Sequence, residues 1–196
     1  MKIVVIPVGM LQANCYLVYD EQTKEALVID PGAEGVKLQK EIEKRELKVK
    51  YIVNTHGHRD HIEANQYLQE VTGAPLYIHE EDSAKLTDAS KNFSATNGYL
   101  QDGDILEVGS LRWEVRHTPG HTQGGICLVG EGVCFSGDTL FDGSIGRTDL
   151  PGGSFEKIIS SIKTKLLILD DQVVVYPGHG PQTSIGKEKE TNPYLT

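Results

Sequence analysis

Hydrophobic residues in this chain fall into short blocks punctuated by Gly, Pro, Asn and Asp. Residues 3–8, 15–19 and 26–29 are β-branched or aromatic runs and predict three consecutive strands. From residue 34 to 45, Val36, Leu38 and Ile42 recur among charges at helical spacing. Residues 49–53 read as a buried strand, and residues 61–71 as a helix with Ile62, Tyr67, Leu68 and Val71 on one side, closed by Gly73. A short strand at 76–78 precedes a polar stretch, 80–98, that fits a short helix plus a loop over the strand ends. A second meander is predicted at 105–108, 111–116, 125–129 and 133–135, then a helix at 155–167 and a last strand at 173–176. Two β-rich halves, each joined to helices and with no linker or repeat between them, predict one domain over 1–196 built of paired sheets with helices outside.

The strand at 49–53 runs into Thr55-His56-Gly57-His58-Arg59-Asp60-His61. Four of these seven side chains are good transition-metal ligands. Crowding them at the end of an apolar strand is costly unless a cation offsets their desolvation and mutual competition. Asp60 is also placed to cap the following helix, with Glu63 completing a capping box, yet capping accounts for none of the histidines. Three further polar residues, His121, Asp138 and His179, each follow an apolar strand and a Gly. Pro-Gly-His occurs at both histidines, and this unit can turn an imidazole back across a sheet end. His79 and His117 fit no such pattern and read as surface or strand histidines.

Composition narrows the setting. A chain of 196 residues, 38% hydrophobic, can bury a sizeable core without disulfides. Cys15, Cys127 and Cys134 are odd in number, lie in apolar runs and lack Cys-x-x-Cys spacing, so they read as reduced core residues. The N-terminal apolar run is too short for a signal peptide and no stretch is long enough to span a bilayer, which makes a cytoplasmic location the expectation. A net charge of −9 with no basic stripe argues against nucleic acid as a partner. The lysines between 37 and 50 interleave with Glu41, Glu43 and Glu46 as a solvated helix face.

In this order, Asp30-Pro31-Gly32, His56-x-His58-x-Asp60-His61, His121, Asp138 and His179, the chain resembles the metallo-β-lactamase superfamily along nearly its whole length. The resemblance implies an αββα sandwich of two mixed sheets with the site at one edge. It further implies that His56, His58 and His121 hold one metal, that Asp60, His61 and His179 hold a second, and that Asp138 bridges them. Asp30 would support the metal loop. One site of three imidazoles and one of a carboxylate and two imidazoles leave open positions for water, the mark of catalytic centres. Zinc is the expected ion, with iron or manganese as alternatives, since His and Asp accept all three.

Two such cations lower the pKa of a shared water to about 7 and polarise a carbonyl, which makes hydrolysis the expected reaction. With the second site empty, Asp60 could instead orient or deprotonate the water. Asp138 stands where several β-lactamases of the superfamily carry Cys or Ser, which disfavours antibiotic hydrolysis. Thr139-Leu140-Phe141 and Gly146-Arg147-Thr148-Asp149 resemble the segment after the bridging Asp in glyoxalase II, the hydroxyacylglutathione hydrolases. The chain has no room for the C-terminal helical domain of the long members, so the resemblance is to the short glyoxalase II-like branch. The implied substrate is a small thioester such as S-lactoylglutathione, whose thiolate leaves with little acid assistance. Arg147 could fork onto a substrate carboxylate, or equally onto Asp149 or a loop carbonyl. Tyr99, Tyr176 and Tyr194 are candidate pocket residues for which core or surface packing is the expected role. The rival from another class is a persulfide dioxygenase with one iron on His56, His121 and Asp138. A lactonase is a further hydrolytic option, and a non-enzymatic metal module would require closed coordination.

Overall fold

The computed structural model describes residues 1–84 and 96–196. Strands β1 (Lys2–Val8), β2 (Ala13–Tyr19) and β3 (Glu25–Ile29) form an antiparallel meander. Helix α1 (Gly35–Lys44) crosses over to β4 (Lys48–Val53), parallel to β3. Helices α2 (Arg59–Ile62) and α3 (Asn65–Thr72) lead to β5 (Leu76–Ile78), which α4 (Glu80–Ser83) follows. Strand β6 (Gly98–Tyr99) completes a mixed six-stranded sheet in the order β1 to β6.

The second sheet begins with an antiparallel ladder of β7 (Ile105–Val108), β8 (Leu111–His117), β9 (Ile126–Gly130) and β10 (Val133–Gly137). A small hairpin of β11 (Leu140–Phe141) and β12 (Ser144–Ile145) precedes helix α5 (Phe155–Ser161), which widens into a π-helical turn at Ile162–Leu166. Strand β13 (Val174–Pro177) pairs parallel to β10, and β14 (Thr183–Ser184) and α6 (Ile185–Thr191) end the chain.

The side-chain alternation of the strands builds the layers. Cys15 and Leu17 of β2 face the cluster that includes Leu38 and Ile42 of α1 and Leu68 of α3. Tyr16 and Val18, one position along, face Trp113, Val115, Leu128 and Phe135 of the other sheet. In the second sheet Cys127 and Cys134 point the opposite way, onto Ile158, Ile162, Leu166 and Ile185. Strands apolar on both faces are what a sheet buried between a helix layer and another sheet requires. The expected sandwich is therefore present, and the three cysteines are buried and form no disulfide. Among the described residues no helix is long and apolar enough to cross a membrane.

Several local expectations are corrected. The helix predicted at 61–71 is broken into α2 and α3 because the His61 carbonyl is taken by Asn54 Nδ2 at 3.0 Å and the Ala64 amide by Pro31 O at 2.9 Å, rather than by helical partners. Asp60 is not the N-cap: α2 starts at Arg59 behind His58, and Glu63 reaches back to Arg59 instead of closing a capping box. The helix at 155–167 turns π-helical over its second half. Most of the loop expected within 80–98, residues 85–95, lies outside the described residues.

Candidate metal centre

Every predicted ligand sits on a connection leaving one end of a strand: His56, His58, Asp60 and His61 after β4, His121 after β8, Asp138 after β10, and His179 after β13. The turns have specific anchors. The 118–121 turn is tied to α5 through Ser161 Oγ, which donates to Pro119 O at 2.7 Å, and the Ser154 amide, which donates to Gly120 O at 2.8 Å. The turn at His179 is held from the opposite sheet, where the Asn14 amide donates to Gly178 O at 2.7 Å and Asn14 Nδ2 to Pro177 O and Gly180 O, both at 3.0 Å. Gly178 packs so closely that an added Cβ would stand 2.2 Å from Asp138 Oδ1. Only glycine fits there.

These connections bring the seven residues together. Donor atoms of His56, His58 and His121 lie within 4.8 Å of one another, as do those of Asp60, His61 and His179. His121 Nε2 is 2.9 Å from His58 Nδ1, and His61 Nε2 is 3.3 Å from His179 Nε2. Two nitrogens at about 2.05 Å from one ion and at the tetrahedral angle stand roughly 3.3 Å apart, so the second pair has ligand spacing and the first is slightly tighter. Asp138 lies between the groups, with Oδ1 3.5 Å from His61 Nε2 and Oδ2 3.5 Å from His121 Nε2 and 3.7 Å from His179 Nε2.

The far edges of the rings are already engaged. His61 Nδ1 faces Asp30 Oδ2 at 3.0 Å, His121 Nδ1 donates to Arg147 O at 2.8 Å, His179 Nδ1 to Leu11 O at 3.2 Å, and His56 Nδ1 meets Thr55 Oγ1 at 3.2 Å. Such outer bonds fix the tautomer and aim the opposite nitrogen inward, as metal-binding imidazoles need. Asp138 Oδ1 is buried and accepts no hydrogen bond among the described residues. A buried carboxylate oxygen left in that state fits a cation better than it fits a metal-free core. The donor set therefore suits divalent metal ions.

Electrostatics point the same way. Burial alone would lower the His61 imidazole, but the charges of Asp138 and Asp30, with Asp60 behind them, raise it to about 9. Burial would raise Asp60, yet its bond to His179 and the charge of His61 bring it down to about 2. His179 is raised, chiefly by that bond to Asp60. The cluster is a negative field that calls for positive charge.

Asp30 lies beneath the metal loop, where Oδ1 accepts from the Thr55 amide at 2.7 Å and Oδ2 from Thr55 Oγ1 at 2.6 Å. Arg147 lines the mouth of a cleft of about 540 Å³ above the cluster, together with Arg59, Leu11, Phe141 and Leu150. Its guanidinium forks onto Asp149 at 2.8 and 2.7 Å. Its backbone carbonyl, which receives His121, is the firmer link to the centre. Tyr176 stacks on Phe135, and Tyr99 and Tyr194 are about half exposed. His79 and His117 stack on each other at 4.1 Å, apart from the main cluster. Three supports escaped sequence reasoning: Asn14, Asn54 and Asp82. A buried Asn inside or just after an apolar strand is the signal that marks the first two.

Fold and donor set together define a metal-binding αββα sandwich. The profile of the metallo-beta-lactamase superfamily matches residues 8–179, and the chain belongs to that superfamily. It is 40% identical over 209 aligned positions to the hydroxyacylglutathione hydrolase GloC of Haemophilus influenzae, covering 100% of this chain and 98% of that one. Among solved structures it resembles the B3 metallo-beta-lactamase BLEG-1, with 34% identity, a TM-score of 0.92 and both chains covered in full. It also resembles TTHA1623 in a di-iron-bound form, with 34% identity, a TM-score of 0.84, and 98% of this chain and 100% of that one covered.

Proposed function

We propose that the chain is a metal-dependent hydrolase of small thioesters, of the S-lactoylglutathione type. His56, His58 and His121 are assigned to one divalent ion, Asp60, His61 and His179 to a second, and Asp138 to both. The observation that carries the reading is the position of Asp138, whose two oxygens face both groups while one of them accepts no hydrogen bond. Bound there, a pair of divalent cations, zinc in this reading, supplies Lewis acidity toward the scissile carbonyl and brings a shared water's pKa toward neutrality. The protein's part is to orient. Asp30, Thr55, Arg147 O and Leu11 O hold the imidazoles by their outer edges. Leu11, Phe141 and Leu150 offer an apolar wall for the thiol portion, and Arg147 and Arg59 offer cations for its carboxylates. Similarity to GloC supports the choice of thioester.

A mononuclear iron dioxygenase on His56, His121 and Asp138 is the second reading, favoured by the 3.5 and 4.0 Å approaches of those two imidazoles to Asp138 Oδ2. One experiment separates the readings: metal content of the purified protein, with turnover of S-lactoylglutathione, a lactone, a β-lactam and a glutathione persulfide under oxygen monitoring. The expected result is two metals per chain and thioester cleavage that chelation abolishes. One iron with oxygen uptake, or preferential β-lactam cleavage, overturns it.

A further inference from the structure

Asp82 belongs to α4, is not one of the ligands assigned above and is sealed from solvent. Its two carboxylate oxygens reach different loops. Oδ2 accepts from the Gly57 amide at 2.8 Å, between His56 and His58, and Oδ1 accepts from the Gly124 amide at 3.0 Å, three residues beyond His121. A buried carboxylate is costly unless its lone pairs are met, and backbone N–H donors to an ionised acceptor make strong, short bonds. Without Asp82 both amides would be buried donors lacking this acceptor.

The surroundings fit the same task. An added Cβ on Gly124 would stand 2.7 Å from the Asp82 amide nitrogen, so the loop lies directly on α4. His117 Nε2 donates to Gln123 O at 2.9 Å in that loop and stacks on His79, the N-cap of α4. Those contacts tie the α4 N-cap to the loop behind His121.

We propose that Asp82 is the positioning residue that sets the spacing of the three-histidine group, by clamping the His56-Gly57-His58 loop to the loop behind His121. This rests on the assignment of those histidines to one metal. The second group is held by other means, Asp30 for His61 and Asn14 for the His179 turn, so the clamp acts on one site selectively.

The test is a zinc titration of the full chain, wild type and Asp82→Asn, followed by 15N NMR of the histidine rings. Asn keeps the shape but turns an amide donor toward a backbone N–H. The expected outcome is zinc affinity reported by His56, His58 and His121 about 10–100-fold weaker in the variant. Affinity reported by His61 and His179 stays within about threefold. Equal weakening at all five rings, or none at any, overturns the proposal. Wild-type rings that ignore zinc overturn the metal reading instead. Should the variant not fold, through-hydrogen-bond couplings from the Gly57 and Gly124 nitrogens to the Asp82 carboxylate carbon in the wild type decide, and absence of either one overturns the clamp.

Discussion

Asp30 Oδ2 stands 3.0 Å from His61 Nδ1, and both side chains are sealed from solvent. The same carboxylate receives the amide and hydroxyl of Thr55, so one residue ties the end of the β4 strand to a predicted ligand on α2. Asp30→Ala is expected to leave these donors buried and unmet, costing on the order of 3 kcal/mol in urea unfolding of the metal-free protein. Zinc affinity should fall about 10–100-fold as His61 loses its orientation. A variant matching wild type in both measurements would contradict the supporting role.

Asp138 is the residue on which the two-metal reading turns. Asp138→Ala should reduce bound metal from two equivalents to about one and lower kcat/KM for S-lactoylglutathione by at least ~100-fold, since its oxygens face both groups. Metal analysis alongside steady-state kinetics checks this. Full activity with two metals retained would remove Asp138 from the bridge.

Arg147 and Asp149 form an exposed pair, with side chains 61% and 68% accessible, and solvent screening leaves such pairs little effect on stability. Arg147→Ala is therefore expected to leave thermal stability nearly unchanged. If its fork is recruited by substrate, KM for the anionic glutathione thioester should rise severalfold while KM for an uncharged ester does not. Equal effects on both substrates would confine Arg147 to the carbonyl that holds His121.

Stability in acid should depend on Asp20, which joins the end of β2 to the β7–β8 turn. Its carboxylate accepts from the Ser110 amide and hydroxyl, both at 2.8 Å, and from the Gln22 amide at 2.8 Å. Led by the Ser110 amide, these bonds lower its pKa to about 2. A group depressed in the folded state stabilises it above the unfolded value, near 3.9, and that contribution is lost as pH falls through the folded one. Wild type should therefore exceed Asp20→Asn in unfolding free energy at neutral pH, with the gap closing between about pH 4 and pH 2. A gap independent of pH would exclude ionisation of Asp20 as its source.

The sandwich and the ligand cluster were legible because their signals are local: apolar runs broken by turn residues, four ligands within seven positions, and Pro-Gly-His twice. Apart from Asn14 and Asn54, each set in or just after an apolar strand, what escaped notice has no local signal. The two-residue strands β6, β11, β12 and β14 are too short for any periodicity. Helix α6 buries only Ile185 and Glu188, and Glu188 is satisfied by Thr183, Asn192 and the Gly143 amide, so the sequence shows no apolar stripe. The break between α2 and α3 depends on Asn54, whose amide outcompetes a helical N–H for the His61 carbonyl. Asp82 reads as one more acid on a charged turn until the fold sets two distant glycine amides against it.

Asn14 and the isolated bridge between Ala13 and His179 stitch the start of β2 to the turn after β13, so the two leaves of the sandwich share backbone hydrogen bonds at one corner. At the other end of β2, Asp20 grips the β7–β8 turn, so that strand is pinned to the second leaf at both of its ends. The turn that carries His179 is thereby fixed to the leaf that carries His56, His58, Asp60 and His61, and the two halves of the cluster share one backbone frame.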